Sequence, residues 1–475
     1  MHHLLQFYIN GKWVDPVRAH HRDLVNPATE MVIAQVSMGS EGDVDAAVAA
    51  ARHAFTAFSS TDKSTRIDLL RCVLDAYNAR SEDLAQALCD EMGAPIVWAR
   101  DAQVWAGRVH LETAIAALET YEFEQQRGAT RVVKEGIGVA ALITPWNWPL
   151  NQIVCKVAPA LAAGCSVVLK PSEIAPISAV IFSEIMHDAG VPPGVFNMIN
   201  GDGPSVGQIM AGHRNVDMVS FTGSTQAGVI VAKTAADTVK RVAQELGGKS
   251  ANIVLEDANL EYAVRKGVES CMSNTGQSCD APTRMLVPSS LHAKAVEIAA
   301  AVADEQVVGD PREVHTTMGP LVSLRQYNKV QALIEIGIAE GAVLVAGGLG
   351  KPEGMMRGYF ARPTVFGHVS QHMTIAREEI FGPVLSIMPY KNEEQAIGIA
   401  NDSDFGLAAY VQSEDLQHAR AVARQLRAGQ VHINYPDWDT HAPFGGYKQS
   451  GNGREYADWG MHEFLEIKAL IGYGS

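Results

Sequence analysis

Apolar and polar residues first follow the period of a strand and then that of a helix. Residues 7–14, FYINGKWV, alternate in character around Asn10-Gly11, a dipeptide suited to the positive φ angles of a tight hairpin turn. From Ser40 an acidic residue follows three positions after a candidate N-cap, and apolar residues then recur at spacings of three and four. This pattern predicts an early hairpin followed by helices as far as Gly93 and Pro95.

A longer alternation of strand-like and helix-like segments runs from Cys165 to Leu246. SVVLK, FNMIN, MVSFTG and RVAQEL are strand-like and are separated by helical patterns, which is typical of βαβ crossovers and a parallel sheet. A second series begins at ANIVLEDANLEYAVRKGVES. The sequence therefore predicts an α/β protein with two Rossmann-like parallel-sheet domains that meet near Gly247-Gly248.

Composition narrows the class of protein. A chain of 475 residues with 47% hydrophobic content can form more than one core, and a net charge of −15 disfavours a nucleic-acid partner. No cysteine pair has CxxC spacing, His2 and His3 are too isolated for a metal site, and no long apolar segment is present. We expect a cytoplasmic protein without membrane segment or metal, in which Cys72, Cys89 and Cys165 are buried packing residues.

Two loops at predicted strand ends are candidates for binding a dinucleotide, although no strand is followed by GxGxxG. SFTGSTQAG places Gly223 at a turn and Ser224 at a helix start, where backbone N–H groups favour a diphosphate. LKPSE places Lys170 and Glu173 where they can hold ribose hydroxyls. Taken singly, a capped helix and a solvated loop explain the two segments better than cofactor binding does.

Three further residues are candidates for catalysis. Glu245 ends a predicted strand just before two glycines and can act as a general base, or it can be a strand-end carboxylate facing water. Asn147 lies between two tryptophans and two prolines, where its amide can donate to an oxyanion or merely shape a turn. Cys279 follows NTGQS and is either a nucleophile or a small buried residue.

In combination these segments resemble the NAD(P)-dependent aldehyde dehydrogenase superfamily, in its non-acylating, bacterial catabolic form. The resemblance extends over nearly the whole chain, through YINGKWV, ITPWNWP, LKPSE, FTGST, QELGGKS, NTGQSC, EEIFGPV and PFGGYKQSGNGRE. It implies an aldehyde-dehydrogenase-like fold with a small β oligomerisation element. It also implies that Cys279 is the nucleophile, that Asn147 stabilises the oxyanion and that Glu245 activates the hydrolytic water.

The resemblance also assigns the cofactor and the substrate tunnel. The cofactor is expected to be NAD rather than NADP, because Glu173 would repel a 2′-phosphate. The cofactor-binding residues implied are Ile143, Trp146, Lys170, Glu173, Gly223, Ser224, Glu379 and Phe381. The tunnel residues implied are Trp148, Gln152, Cys155, Ser278, Asp280, Trp438 and Phe444.

The tunnel departs from the family pattern in one respect. Met272 and Ser273 occupy positions where many relatives have aromatic residues, which predicts a wider or more polar tunnel. No Arg or Lys is among the tunnel candidates, so a dicarboxylate semialdehyde is disfavoured and a neutral aromatic or medium-length aldehyde is expected.

The resemblance divides the chain into three parts. Residues 1–117 and 137–248 are expected to form the dinucleotide-binding domain, 249–455 the catalytic domain, and 118–136 with 456–475 the oligomerisation segments of a homodimer or homotetramer. Two other functions compete with this interpretation: a dehydrogenase that passes its thioester to coenzyme A, and a non-catalytic protein that retains the fold. The presence of Glu245 argues for hydrolysis.

Overall fold

The computed structural model describes residues 3–474; His2 and Ser475, which entered the predictions above, lie outside it. The strands in chain order are β1 (Phe7–Ile9), β2 (Lys12–Val14), β3 (His21–Asn26), β4 (Met31–Ser37), β5 (Glu124–Arg127), β6 (Thr130–Gly136), β7 (Val139–Ile143), β8 (Ser166–Lys170), β9 (Phe196–Met198), β10 (Met218–Thr222), β11 (Arg241–Glu245), β12 (Ala251–Val254), β13 (Arg284–Pro288), β14 (Val343–Ala346), β15 (Thr364–Gly367), β16 (Val384–Tyr390), β17 (Phe405–Gly406), β18 (Ala408–Gln412), β19 (Gln430–Ile433), β20 (Tyr447–Lys448), β21 (Gly451–Asn452) and β22 (Leu465–Leu470).

The α-helices in chain order are α1 (Glu41–Phe58), α2 (Lys63–Ala79), α3 (Ser81–Met92), α4 (Ile96–Trp98), α5 (Trp105–Thr120), α6 (Pro149–Ala162), α7 (Ile177–Asp188), α8 (Gln208–Gly212), α9 (Thr225–Ala236), α10 (Leu260–Met272), α11 (His292–Asp304), α12 (Leu324–Ala339), α13 (Thr374–Arg377), α14 (Glu393–Asn401), α15 (Leu416–Ala423) and α16 (Ala457–Glu463). Two π-helical segments, Ala99–Val104 and Gly203–Gly207, and a 3-10 turn, Ser273–Gly276, complete the helical structure within residues 3–474.

The first large sheet contains eight strands in the order β2-β1-β9-β8-β7-β10-β11-β21. Its central strands β9, β8, β7, β10 and β11 are parallel, as the alternating pattern predicted. The predicted hairpin is also confirmed, because β1 and β2 pair antiparallel and the turn residues Asn10 and Gly11 have φ angles of 53° and 74°. Helix α1 begins where predicted, with the Asp43 carboxylate accepting from the Ser40 N–H at 2.8 Å.

The second large sheet contains seven strands in the order β14-β15-β16-β13-β12-β18-β19. Every neighbouring pair is parallel except β14 and β15 at one edge. The α/β class with two parallel sheets is therefore confirmed. Strand β21 lies within the range expected for the catalytic domain but pairs with β11 of the first sheet, so the exact domain limits stay a prediction.

Helices cover both faces of each sheet, which explains why the central strands are apolar throughout. Strands β7, β8 and β10 are buried over their whole length, and so is every residue of α6. Cys89 and Cys165 are buried packing residues as expected. The expectation for Cys72 is wrong, because it is exposed on the side of α2 away from the buried stripe that contains Leu70 and Val73.

A smaller antiparallel sheet, ordered β22-β6-β5, is formed by the two segments expected to mediate oligomerisation. Its strand β22 is largely exposed, and the side chain of Ile467 retains 73% of its accessible surface. None of the helices within residues 3–474 combines the length and apolar character needed to cross a membrane.

Candidate active site

Cys279 follows a tight turn whose backbone explains the glycine before it. Asn274, Thr275 and Gly276 have φ angles of 52°, 58° and 68°, so the chain reverses in a left-handed conformation directly after α10. A Cβ atom at Gly276 would collide with the backbone of Gly382. Only glycine fits this position, and the turn carries Cys279 to the carboxyl end of β11 in the other sheet.

A second close backbone contact joins Cys279 to the loop after Glu245. A Cβ atom at Gly248 would collide with the carbonyl oxygen of Cys279. The two glycines that follow Glu245 in the sequence thus allow the strand end and the cysteine loop to touch. The structure brings Cys279 and Glu245 together, although they lie on different sheets.

The amide of Asn147 lies against the same loop. Its Nδ2 donates to the backbone carbonyl of Gln277 at 3.0 Å, and the backbone carbonyl of Asn147 accepts from Asn274 Nδ2 at 3.0 Å and from Gln103 Nε2 at 3.0 Å. The second N–H of the Asn147 amide has no hydrogen-bond partner among the described residues and remains able to donate. Gln103 and Asn274 position this amide, and no sequence motif had singled them out.

Glu245 is buried at the end of β11, and its Oε2 atom has no hydrogen-bond partner within residues 3–474. Burial and the negative charge of Glu455 raise the pKa of the Glu245 carboxyl well above its usual range. A carboxyl with a raised pKa can accept and return a proton near neutral pH, which a solvated glutamate does poorly.

A buried ion pair lies behind Glu245. Lys156 on α6 forms an ion pair with Glu455, and its Nζ also donates to Thr222 Oγ1 at 2.7 Å. Cys155 Sγ contacts the other Glu455 oxygen at 3.4 Å. Sequence analysis missed this cluster, although a single lysine within the buried apolar helix α6 was a usable signal.

The thiol of Cys279 lies among acidic groups. Burial raises its pKa well above the usual value, and the negative charges of Asp280, Glu379 and Glu245 add to the rise. The resting side chain is therefore a thiol rather than a thiolate, and attack on a carbonyl requires a group that removes its proton.

The residues predicted to bind the dinucleotide lie at the carboxyl ends of parallel strands. Lys170 Nζ at the end of β8 donates to the carbonyl of Gly201 at 2.6 Å and lies 3.7 Å from Glu173. Gly223 follows β10, and Ser224 caps the twelve-residue helix α9 by accepting from the Ala227 N–H at 3.3 Å. A capped helix start beside a strand end fits a diphosphate group.

The remaining predicted cofactor residues lie nearer to Cys279. Glu379 Oε1 accepts from the Gly248 N–H at 2.9 Å, and the Phe381 ring packs edge-on against Trp146 at 5.4 Å and 85°. Ile143 ends β7, and the next residue, Thr144, has a buried hydroxyl without a partner within residues 3–474. An unpartnered hydroxyl at a strand end is the kind of group that a bound dinucleotide satisfies.

A cavity of about 570 Å³ opens onto Cys279. Six of the seven predicted tunnel residues line it: Trp148, Gln152, Ser278, Asp280, Trp438 and Phe444. Ser273 lines it too, whereas Met272 is buried in the core. Cys155 does not line the cavity; its Sγ contacts Glu455, and it packs against Phe444 and Tyr456, which do line it.

Comparison with known proteins assigns this arrangement to a family. The sequence model of the aldehyde dehydrogenase family matches residues 13–470, nearly the whole chain. The chain belongs to the aldehyde dehydrogenase family. It is 57% identical over 469 residues to 3-succinoylsemialdehyde-pyridine dehydrogenase of a Pseudomonas species, and the match covers 98% of each chain.

Solved structures agree with the assignment. Aldehyde dehydrogenase C from Pseudomonas syringae, a cysteine-to-alanine mutant in complex with NAD+ and octanal, superposes with a TM-score of 0.99 at 53% identity, covering 99% of this chain and 97% of that one. Betaine aldehyde dehydrogenase from Staphylococcus aureus in complex with NAD+ has a TM-score of 0.96 at 36% identity, with 99% and 97% covered. The chain is an enzyme with the aldehyde dehydrogenase fold. Within residues 3–474, no group of three or more His, Cys, Asp or Glu side chains could hold a metal ion.

Two cysteine variants test the assignment of the nucleophile. Cys279→Ala removes the only sulfur that faces the cavity and should reduce aldehyde oxidation by at least about 10³-fold while leaving NAD+ affinity within about twofold. Cys155→Ala is the matched control, because Cys155 is an adjacent buried thiol outside the cavity, and it should retain most activity. NADH absorbance and NAD+ titration are the measurements, and turnover by the Cys279→Ala protein above a few per cent of wild type contradicts the assignment.

Proposed function

We propose that this enzyme oxidises an aldehyde to the carboxylic acid with NAD+, through a thiohemiacetal and a thioester on Cys279 that water hydrolyses. The observation that carries the proposal is the buried Glu245, held beside Cys279 with an unpartnered oxygen and a raised pKa. A carboxyl placed in this way can act as a base toward both the thiol and a water molecule.

The first step forms a bond between Cys279 Sγ and the carbonyl carbon. The thiol proton passes to Glu245, and the carbonyl electrons move to oxygen, which becomes an oxyanion. The free N–H of the Asn147 amide and the backbone N–H of Cys279 donate to this oxyanion. Because Gln277 holds the Asn147 amide and Gln103 and Asn274 hold the Asn147 backbone, the amide needs little reorganisation to donate.

The second step converts the thiohemiacetal into a thioester when the oxyanion re-forms the carbonyl. When bound, NAD+ supplies the acceptor for the hydrogen and the electron pair that leave the aldehyde carbon. Lys170 and Glu173 would hold the adenosine ribose, Gly223 and Ser224 the diphosphate, and Glu379 the nicotinamide ribose. The aromatic pair of Trp146 and Phe381, with Ile143, would limit the position of the ring.

Hydrolysis completes the cycle and distinguishes this proposal from acyl transfer to coenzyme A. Glu245 first releases the proton that it took from the thiol and then removes a proton from water; the resulting hydroxide attacks the thioester carbon, the C–S bond breaks with release of the acid, and the departing thiolate takes the proton back from Glu245. The ion pair of Lys156 and Glu455 lies behind Glu245 and provides a buried path for the proton. This cluster supports hydrolysis over transfer to a thiol cofactor.

The cavity supports a substrate with a neutral tail. Its lining includes tryptophan, tyrosine and phenylalanine side chains and, within residues 3–474, no lysine or arginine. A similar enzyme was solved with octanal, and another relative is named for a pyridine-bearing semialdehyde. We propose medium-length aliphatic and aromatic or heteroaromatic aldehydes as the substrate class.

The proposal also includes a homo-oligomer in a reducing compartment, such as the cytoplasm. All six cysteines are unpaired in the structure, which supports the reducing environment. Strand β22 presents the exposed Ile467, and Val229 and Ile230 are exposed apolar residues on α9. Contact between copies would bury these apolar surfaces and cover unpaired strand edges.

Glu245→Gln should separate thioester formation from hydrolysis. The variant keeps the shape of the side chain but cannot accept a proton, so an NADH burst of at most one equivalent should precede turnover slowed at least about tenfold. Stopped-flow absorbance records burst amplitude and rate separately, and mass spectrometry of the quenched protein should find an acyl adduct on Cys279. Wild-type turnover without an adduct contradicts the role of Glu245.

Glu173 and Arg22 allow a test of cofactor choice. Arg22 Nη1 lies 3.5 Å from Glu173 Oε1, so Glu173→Ser removes a repulsive carboxylate and frees a cation for the 2′-phosphate of NADP+. The preference for NAD+ in kcat/KM should fall by about tenfold or more, and the Arg22→Ala, Glu173→Ser double variant should lose most of that gain. A wild-type preference for NADP+ refutes the assigned role of Glu173.

Deletion of residues 466–475 tests assembly. The deletion removes most of β22, which pairs with β6 over six residues, so the apolar side chains and backbone of β6 lose their cover. The product should aggregate or fail to assemble, as measured by light scattering, whereas Ile467→Ser should only weaken self-association. A deleted chain that is monomeric, soluble and fully active contradicts the proposed oligomer.

A further inference from the structure

The cavity above Cys279 is lined by two sets of side chains with different chemistry. The aromatic set contains Trp98, Trp148, Trp438, Phe444 and Tyr456. The polar set contains Ser270, Ser273, Asp280, His432 and Tyr435. The roles proposed above for Cys279, Asn147 and Glu245 make no use of the polar set.

Asp280 is the polar group nearest in sequence to the nucleophile. Its side chain lines the cavity, and it forms no ion pair within residues 3–474. Burial raises the pKa of its carboxyl, and the nearby imidazole of His432 only partly opposes this rise. The carboxyl therefore holds a proton more readily than a solvated aspartate does.

His432 lies on β19, and Tyr410 lies opposite it on the neighbouring strand β18. The two rings stack at 4.7 Å and 16°, and the Tyr410 hydroxyl donates to the backbone carbonyl of Asp280 at 3.2 Å. Tyr410 therefore sets the position of both polar residues. The His432 Nε2 atom is shielded from solvent and has no hydrogen-bond partner within residues 3–474. Burial lowers the pKa of the imidazole, so its neutral form is favoured.

The unpartnered ring nitrogen of His432, beside the half-buried carboxyl of Asp280, needs an explanation. A buried polar group without a partner costs about 1–3 kcal/mol, and this cost disappears when a ligand supplies the missing partner. A hydrocarbon tail in the cavity would exclude water and leave the His432 nitrogen unsatisfied. A tail with one polar atom in reach would satisfy it and would be preferred.

We propose that Asp280 and His432 select aldehydes whose tail carries a neutral hydrogen-bonding group, such as a ketone, a hydroxyl or a ring nitrogen. The proposal rests on the aldehyde oxidation described above and narrows its substrate class. The aromatic set holds the apolar part of the tail, while the His432 Nε2 atom forms a hydrogen bond to its polar atom and the Asp280 carboxyl lies beside it.

Two aldehydes of equal length provide the test: 4-oxo-4-phenylbutanal and 4-phenylbutanal, which differ only by the ketone oxygen. With wild-type enzyme and NAD+, kcat/KM should be at least about tenfold higher for the ketone. His432→Phe should reduce this ratio to about twofold or less, while kcat/KM for 4-phenylbutanal changes by less than about threefold. Asp280→Ala should reduce the ratio as well, and only the ratio is compared for this variant, because loss of Asp280 also changes the charge around Cys279. Phenylalanine at position 432 retains the stacking on Tyr410.

His441→Phe is the matched control. His441 is an exposed histidine outside the cavity lining, so its replacement should leave the ratio unchanged. If a variant loses its circular dichroism signal, calorimetry replaces the kinetic comparison. Binding of the two aldehydes is then measured on the Cys279→Ala protein, with and without His432→Phe. In that protein the ketone should bind at least about tenfold more tightly than 4-phenylbutanal, and the gap should close when His432 is also replaced.

Two results would overturn the inference. They are a wild-type ratio near one and a ratio that both variants retain. If the ketone, 4-phenylbutanal and octanal all fail to react, aldehyde oxidation itself is wrong for these tails. Turnover of octanal and 4-phenylbutanal with no gain for the ketone overturns only the selection by Asp280 and His432.

Discussion

Close backbone contact at Cys279 is the constraint on which the active site depends. Gly248 packs against the carbonyl of Cys279, and Gly276 packs against the backbone of Gly382. The first contact joins the end of β11 to the cysteine loop, and the second holds the left-handed turn that precedes the cysteine. A side chain at either glycine would separate the sheets at the point where they share a catalytic centre. Asn147, Glu245 and the thiol meet only because these contacts are possible.

The same proximity has an electrostatic consequence. Glu245, Glu379 and Asp280 surround one buried thiol, and burial raises the pKa of every one of these groups. Lys156 compensates for part of the negative charge through its ion pair with Glu455, which leaves Glu245 as the unpartnered member. The arrangement suits a base that must work twice, on the thiol and then on water.

The cavity shows how one family framework can accept different aldehydes. The proposed nucleophile, amide and base are held by backbone contacts and buried side chains, whereas the cavity is lined by residues from α10 and β19 and from the loop that contains Trp438. Changes among these lining residues alter the tail that fits without moving the reacting atoms. Asp280 is unusual because it is adjacent to the nucleophile in the chain and also faces the tail.

Much of the fold was predictable from local patterns. Three features were predictable from the sequence: the hairpin at Asn10-Gly11, the start of α1 at Ser40 and the strand–helix alternation. Turn chemistry, capping and periodicity act over a few residues, so each leaves a local pattern. Cys72 was misjudged because an apolar neighbourhood in sequence does not say which side of a helix faces the core. Cys155 failed as a tunnel residue for the same reason, since it lies on α6 but points toward Glu455.

By itself, the sequence determined the α/β class, the family and the candidates Cys279, Glu245 and Asn147, because each depends on short motifs in a recognisable order. Only the tertiary structure decided how these residues meet. It alone showed the ion pair of Lys156 with Glu455 and the hydrogen bonds of Gln103 and Asn274 to the Asn147 backbone. It also showed that His432 stacks on Tyr410 beside Asp280. These contacts join residues far apart in the chain, and their free energy depends on burial and distance, which no local pattern encodes.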